Sequence, residues 1–485
     1  MLPTALAVLL AAASPAPPSS LPTDCEQARP TDGSHSPSTM SAVRLAQDWI
    51  RAIDTADEAA YVRFVEERGP VQPGGPEQWL DLRSSLRGVQ LCGVKSADAA
   101  GVHLWMFDPN WDSYVIAQFE FGATAADRIR LAFVQGTDEV PPGLARPAKL
   151  SPRMLVRSVR ARLAARAERG QFSGAVLLAQ RGRVLFQRAY GLADRENRRP
   201  NGLDTQFRFG SMGKMFTAVA IMQLAQDGRL DLEAPIGRYL PNYPNRDVAA
   251  RVTIAHLLSH TGGTGDIFGP EFDARRASLR SLRDYVGLFG TRPPEFDPGS
   301  RFSYSNYGFI LLGRIVEEVS GLGYDDYIQR HIFRPARMDS TGNLPESAVL
   351  PRRAVGYMGS DGRLRRADET LPFGGTSSGG GYSTVGDFHR FVNGLTSHRL
   401  LRSETLRRLI DGGIRTDDGQ FFRFDFGGSM EGTGRYIGHN GAAPGQSGAL
   451  YHFLDSDFTV VVLSNRDPGT AESIALFAAH RLPVD

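Results

Sequence analysis

The sequence predicts a mixed α/β (α+β) chain: an antiparallel sheet flanked by helices, carrying an inserted all-helical lobe and preceded by a small α+β domain. Three observations predict it. Strand-like runs stand at both ends of the stretch 174–463 with helix-rich sequence between them, helical periods give way to strand runs between residues 41 and 136, and prolines with glycines crowd the segment 137–152.

In chain order, residues 5–13 form an unbroken apolar run of small residues and leucines. It is too short to span a bilayer but fits the core of a signal peptide, and Ala11-Ala12-Ala13 offers a small-x-small cleavage site. Residues 1–13 are therefore read as a signal peptide, which predicts a periplasmic or secreted protein with no stable membrane span. Cys25 follows Pro22-Thr23-Asp24, which lacks the small residue a lipid-attachment cysteine requires. Residues 14–40, rich in Pro, Ser, Thr and Asp without an apolar period, read as a flexible tether.

From residue 41, Val43, Leu45, Trp49, Ile50 and Ile53 recur at helical spacing, and Tyr61, Val62, Phe64 and Val65 suggest a second helix. Strand runs follow at 89–94, 102–107, 114–121 and 129–134. Helices first and an antiparallel sheet after predict a small α+β domain over 41–136, similar in topology to the cystatin-like cones. Trp105, Trp111 and Asp112 read there as packing rather than as a pocket. Cys25 and Cys92, the only two cysteines, either pair in an oxidising compartment or leave Cys92 as a small buried thiol.

After the linker at 137–152, a domain over 153–485 opens with a helix at 154–169 and a hairpin, 174–180 with 184–190, turning at Arg181-Gly182. Strands at 448–454 and 459–463 and a helix at 470–480 close the chain. One sheet built from both termini leaves a cleft between sheet and lobe, where a site belongs.

Composition excludes several classes. Lys+Arg 55 against Asp+Glu 53 gives a net charge of +2, without the basic excess that nucleic-acid binding needs. Two cysteines exclude a Cys-rich zinc site. His256 and His260 stand four apart like paired zinc ligands, but no glutamate lies between them and no third ligand is evident, so they read as structural. No metal and no cofactor are expected. Gly213-Lys214 lacks the spaced glycine and following Ser or Thr of a phosphate loop. Gly375-Thr376-Ser377-Ser378-Gly379 has the form of a nucleophile elbow, but further glycines follow it where a helix is required, and it reads as a loop bordering the cleft.

The sharpest chemistry lies at Ser211-Met212-Gly213-Lys214, opening the apolar helix of Phe216, Val219, Ala220, Ile221 and Leu224. Lys214, three residues on, shares a helix face with the Ser211 hydroxyl. A serine needs a neighbouring base, and a lysine in a partly dry site can supply one. Tyr304-Ser305-Asn306 precedes another apolar-periodic helix, so Tyr304 can reach a cleft as phenolate or proton relay, and Asn306 can cap the helix or orient a substrate carbonyl. His439-Asn440-Gly441-Ala442 lies on a strand, where Gly441 admits a close backbone approach.

In this order the residues resemble the serine beta-lactamase and penicillin-binding-protein superfamily, whose signature is Ser-x-x-Lys, then Tyr-x-Asn, then a strand triplet ending in Gly. The flanking segments 253–263, 298–321 and 379–391 resemble its class C and low-molecular-weight peptidase branch. The resemblance spans about residues 155–485. It implies Ser211 as nucleophile, Lys214 and Tyr304 as the acid/base pair, and Asn306, His439 and Gly441 at the substrate, with the N–H groups of Ser211 and Ala442 as oxyanion hole. Lactam-hydrolysing members usually carry Lys-Thr-Gly on the strand, and His439-Asn440-Gly441 is more like the D-aminopeptidases, D-alanyl-D-alanine peptidases and related esterases. The expectation is a serine hydrolase acting through an acyl-enzyme on D-amino-acid peptides or small esters rather than a beta-lactamase proper, the alternative being an inactive scaffold of the same fold. The substrate is a small molecule or peptide, and the oligomeric state is left open.

Overall fold

The computed structural model describes Cys25 and residues 37–54, 57–69, 83, 86, 88–98, 101–109, 113–122, 125–137, 139–359, 364–368, 371–416 and 419–482. The signal peptide, most of the tether, Trp111 and Asp112 lie outside the described residues.

Two helices, α1 (Pro37–Asp54) and α2 (Glu58–Arg68), precede an antiparallel sheet of β1 (Gln90–Ala97), β2 (Gly101–Asp108), β3 (Ser113–Gly122) and β4 (Ala125–Gly136), paired in sequence order. Alternation sorts the sheet's residues. Val102, Leu104 and Met106 pack with Trp49, Ile53 and Tyr61 of the helices, while Trp105, Phe107, Tyr114 and Ile116 form a second cluster on the opposite face. Cys25 and Cys92 form a disulfide within that second cluster.

The rest of the chain builds α3 (Pro152–Glu168), β5 (Gly174–Gln180), β6 (Arg183–Tyr190), α4 (Lys214–Gln226), α5 (Asn306–Ser320), α6 (Val385–Thr396), β7 (Gly427–Met430), β8 (Gly434–Ala443), β9 (Gln446–Phe453), β10 (Phe458–Ser464) and α7 (Thr470–Ala479), with shorter helices between. Six strands form one sheet in the order β7-β8-β9-β10-β5-β6, every pair antiparallel. Strand β10 from the C-terminal end pairs with β5 along its full length, so the sheet is closed by both ends of this region. The β5–β6 hairpin turns at Arg181 and Gly182, both in the left-handed region (φ 50° and 71°), as a two-residue hairpin turn requires.

Central strands read as continuous apolar runs because both faces are covered. Leu177, Ile437, Leu450 and Val461 face the helical lobe, and Val176, Leu178, Tyr451 and Val460 face α3 and α7. The lobe between β6 and β7 is mainly helical but also carries short two-stranded ribbons, such as Phe207–Arg208 with Tyr382–Ser383. Their two- and three-residue strands are too short to show a period in sequence.

Candidate active site

The start of α4 is built for close approach. Gly210–Gly213 forms a 3₁₀ turn leading directly into α4, whose residues 214–224 are all buried. Gly441 on β8 sits against this turn so closely that a Cβ there would meet the Phe209 carbonyl at 1.9 Å, and one on Gly210 would lie 3.1 Å from the Ala442 nitrogen. The two glycines thus let the turn that carries Ser211 pack directly against β8 at Ala442. From behind, the Gly380 amide donates to the Gly210 carbonyl, and Gly379 leaves no room for a side chain against Gly210 and Ser211. The Gly-x-Ser-x-Gly segment is thus a backing loop. Its Ser377 is fully buried against Gly313, away from any approach by substrate.

Lys214 is wholly buried, and its Nζ meets three oxygens: Ser211 Oγ at 3.2 Å, Asn306 Oδ1 at 2.7 Å and the Ser378 carbonyl at 2.6 Å. Burial pushes its pKa down to about 8, while the charges of Asp425 and Asp266 act to raise it. The environment thus brings the neutral amine within reach of neutral pH. Tyr304 lies with its ring 4.8 Å from Lys214 Nζ and its hydroxyl hydrogen-bonded to Ser211. Although 39% of Tyr304 is exposed, its hydroxyl is turned into the site, where burial and the Asp425 charge hold it well above the ordinary phenol value. These surroundings favour the phenol over the phenolate.

The N-cap of α5 is Ser305, whose Oγ accepts from the Gly308 amide, and Asn306 is the first helical residue. The Asn306 side chain is held between Lys214 and Asp266: Oδ1 accepts from Lys214, and Nδ2 donates to Asp266 Oδ2 at 3.2 Å. Asn306 thus orients the lysine and keeps one N–H to spare.

The two histidines that read as structural part ways. His256 completes a capping box with Thr253. His260, in the left-handed region at φ 57°, stacks on Tyr304 with ring centroids 4.4 Å apart, accepts the Ser305 amide at Nδ1 and bonds Asp425 Oδ2 through Nε2 at 2.9 Å. His439 reaches the same Asp425 oxygen through its own Nε2, also at 2.9 Å, and its Nδ1 contacts the carbonyl of Asn440. Asn440 points to the other face of β8, where it donates to Glu472. A cavity of about 350 Å³ lies on that far side, lined by residues that include Lys95, Glu139, Tyr436 and Glu472, and none of the candidate catalytic side chains reaches it.

Sequence reading missed Asp266 and Asp425. Asp425 offered a signal: a charged residue between Phe424 and Phe426, both buried.

A Ser-Lys-Tyr cluster in a cleft between a helical lobe and an antiparallel sheet defines a class, the beta-lactamase-fold hydrolases. Residues 159–483 match the beta-lactamase family, and the chain belongs to it. It is similar to a penicillin-binding protein of Bacillus subtilis (strain 168), 29% identical over 335 residues, which is 64% of this chain and 72% of that protein. Over 203 residues it is 34% identical to esterase EstB of Burkholderia gladioli, covering 39% of this chain and 51% of the esterase. The crystal structure of a penicillin-binding protein from Bacillus halodurans superposes with a TM-score of 0.58 at 31% identity, covering 64% of this chain and 97% of that one. Among the described residues no helix is long and apolar enough to cross a membrane.

Proposed function

We propose that this chain is an exported serine hydrolase that cleaves amide or ester substrates through an acyl-enzyme on Ser211. The observation that carries the proposal is the hydrogen-bond geometry of Lys214. Its two carbonyl acceptors, Asn306 Oδ1 and Ser378, take two N–H bonds in either protonation state. In the neutral amine the remaining position is a lone pair facing the Ser211 hydroxyl; in the ammonium it is the third N–H. The position of Lys214 that gains and loses a proton is thereby the one facing Ser211 and the Tyr304 hydroxyl hydrogen-bonded to it, as activation of the nucleophile requires.

As Ser211 Oγ attacks the acyl carbon, its proton passes to Lys214 Nζ. The oxyanion is received by the N–H groups of Ser211 and Ala442, at the amino end of α4 where the helix dipole favours negative charge. Collapse breaks the C–N or C–O bond, and Tyr304 donates its phenolic proton to the leaving group while Lys214 returns a proton to Tyr304. Water then attacks the acyl carbon, giving a proton to the neutral Lys214; the bond from the acyl carbon to Ser211 Oγ breaks, Oγ takes that proton back from Lys214, and the acid leaves. A disulfide between Cys25 and Cys92 supports an oxidising compartment, in keeping with export. We also propose the division into a signal peptide, a tether, a small α+β domain over 41–136, a linker and the hydrolase domain.

A substrate series of short-chain esters, D-amino-acid amides, D-alanyl-D-alanine peptides and a chromogenic lactam tests the reading. Turnover of at least one ester or amide is expected, with Ser211→Ala inactive but folded; a well-folded wild-type protein that turns over none of them is a scaffold and the proposal fails.

A further inference from the structure

We propose that Asp425 masks His439, and that this site therefore selects acyl donors whose leaving group carries no carboxylate; the proposal rests on the acyl-enzyme reading above. The argument starts from the ring nitrogens. Both nitrogens of His439 face oxygens that can only accept, the Asn440 carbonyl and the Asp425 carboxylate. Each nitrogen is thus engaged within the protein, and neither is turned to a substrate. At His260 the Ser305 amide donates to Nδ1, so the single ring hydrogen sits on Nε2 and points to Asp425. That ring is neutral, in keeping with its burial, which lowers its pKa.

Asp425 Oδ2 thus bonds Nε2 of both histidines, and its partner on β8 has both ring nitrogens already engaged. A substrate carboxylate arriving at β8 finds no free N–H on His439 and a carboxylate already in place, one fifth of whose side chain is exposed. The remaining charges around the cluster reinforce the balance. Asp266 and Asp425 face Lys214, and Glu472 acts on His439 from the far side of β8. A neutral leaving group, an amide or an alkyl ester, meets no such opposition. His439 on this account is a positioning residue for the strand edge, and Asp425 the residue that sets specificity.

The test uses two donors that break the same bond, N-acetyl-D-alanyl-D-alanine and its C-terminal amide, with kcat/KM measured for each. Wild-type protein is expected to favour the amide by roughly 10–100-fold, the range of one hydrogen bond to a charged group. His439→Lys alone, still paired with Asp425, should keep most of that preference. Adding Asp425→Asn unmasks the lysine and should raise the acid-to-amide ratio about tenfold or more. Wild-type protein that cleaves the free acid as well as the amide overturns the proposal without the need of any variant, as does an unchanged ratio in a folded double variant. Failure of the underlying reading looks different: neither donor, nor any ester, acylates Ser211.

Discussion

At the scale of single residues, the account depends on one buried amine and the groups that set its charge. General acid–base groups contribute about 10²–10⁴-fold in rate, and groups that act as a unit are non-additive. Lys214→Ala and Tyr304→Phe should each slow acylation by that order and the double variant little further, as stopped-flow acylation would show; near-multiplicative losses would mean separate roles. Lys214 must be neutral to accept the Ser211 proton, so acylation should rise with pH through about 8. Asp266 raises the Lys214 pKa, so Asp266→Asn should move this rising limb to lower pH. A limb that stays put or moves upward in the pH–acylation profile contradicts the assignment. Ser211, Lys214 and Tyr304 were legible in the sequence because three short motifs fall in order. The pairing of Asp425 with His260 was not, because the two meet across 165 residues: His260 lay in a recognised segment but read as structural, and Asp425 lay in none.

At the scale of elements, β8 packs directly against the turn that carries Ser211, with no room for a side chain at Gly441. Gly441→Ala would drive a Cβ into the Phe209 carbonyl and part strand from turn. A loss of roughly 1–3 kcal/mol is expected from overpacking, with a larger loss of acylation than of stability; thermal melts set beside acylation rates distinguish this from a purely structural effect. The neighbouring β9 carries His452, buried against the lobe, its Nδ1 bonded to Thr459 Oγ1 and its pKa pushed down to about 4 by burial. A histidine kept neutral in the fold contributes stability that is present above its unfolded value near 6.5 and lost as pH falls toward about 4. His452→Gln should therefore flatten the acid side of a plot of Tm against pH; an unchanged slope between pH 6.5 and 4 would refute this. Strands β9 and β10 were visible as apolar runs. Strand β7 (Gly427–Met430) was not, since its Gly-Gly-Ser-Met sequence has no strand preference and is ordered by pairing with β8.

At the scale of the whole molecule, the N-terminal α+β unit has its own core, and its disulfide closes a loop of 67 residues. On the chain-entropy view such a link contributes at most about 4 kcal/mol. Reduction should lower the melting of this unit and leave acylation of Ser211 unchanged, as differential scanning calorimetry with and without reductant would report; a parallel loss of acylation would tie the unit to catalysis. Both the helices-then-strands order here and the closure of the larger sheet by both ends of its region were legible from periodicity. How the helical lobe seats the catalytic groups was not, because loop residues such as Ser378 and Asp266 act through backbone or tertiary bonds. The central claim is an acyl-enzyme on Ser211, and intact-protein mass spectrometry after brief exposure to a fluorophosphonate tests it most directly. A single adduct mapped to Ser211, absent from Ser211→Ala, is the predicted result. An adduct that persists in Ser211→Ala, or maps to another serine such as Ser377, would contradict it.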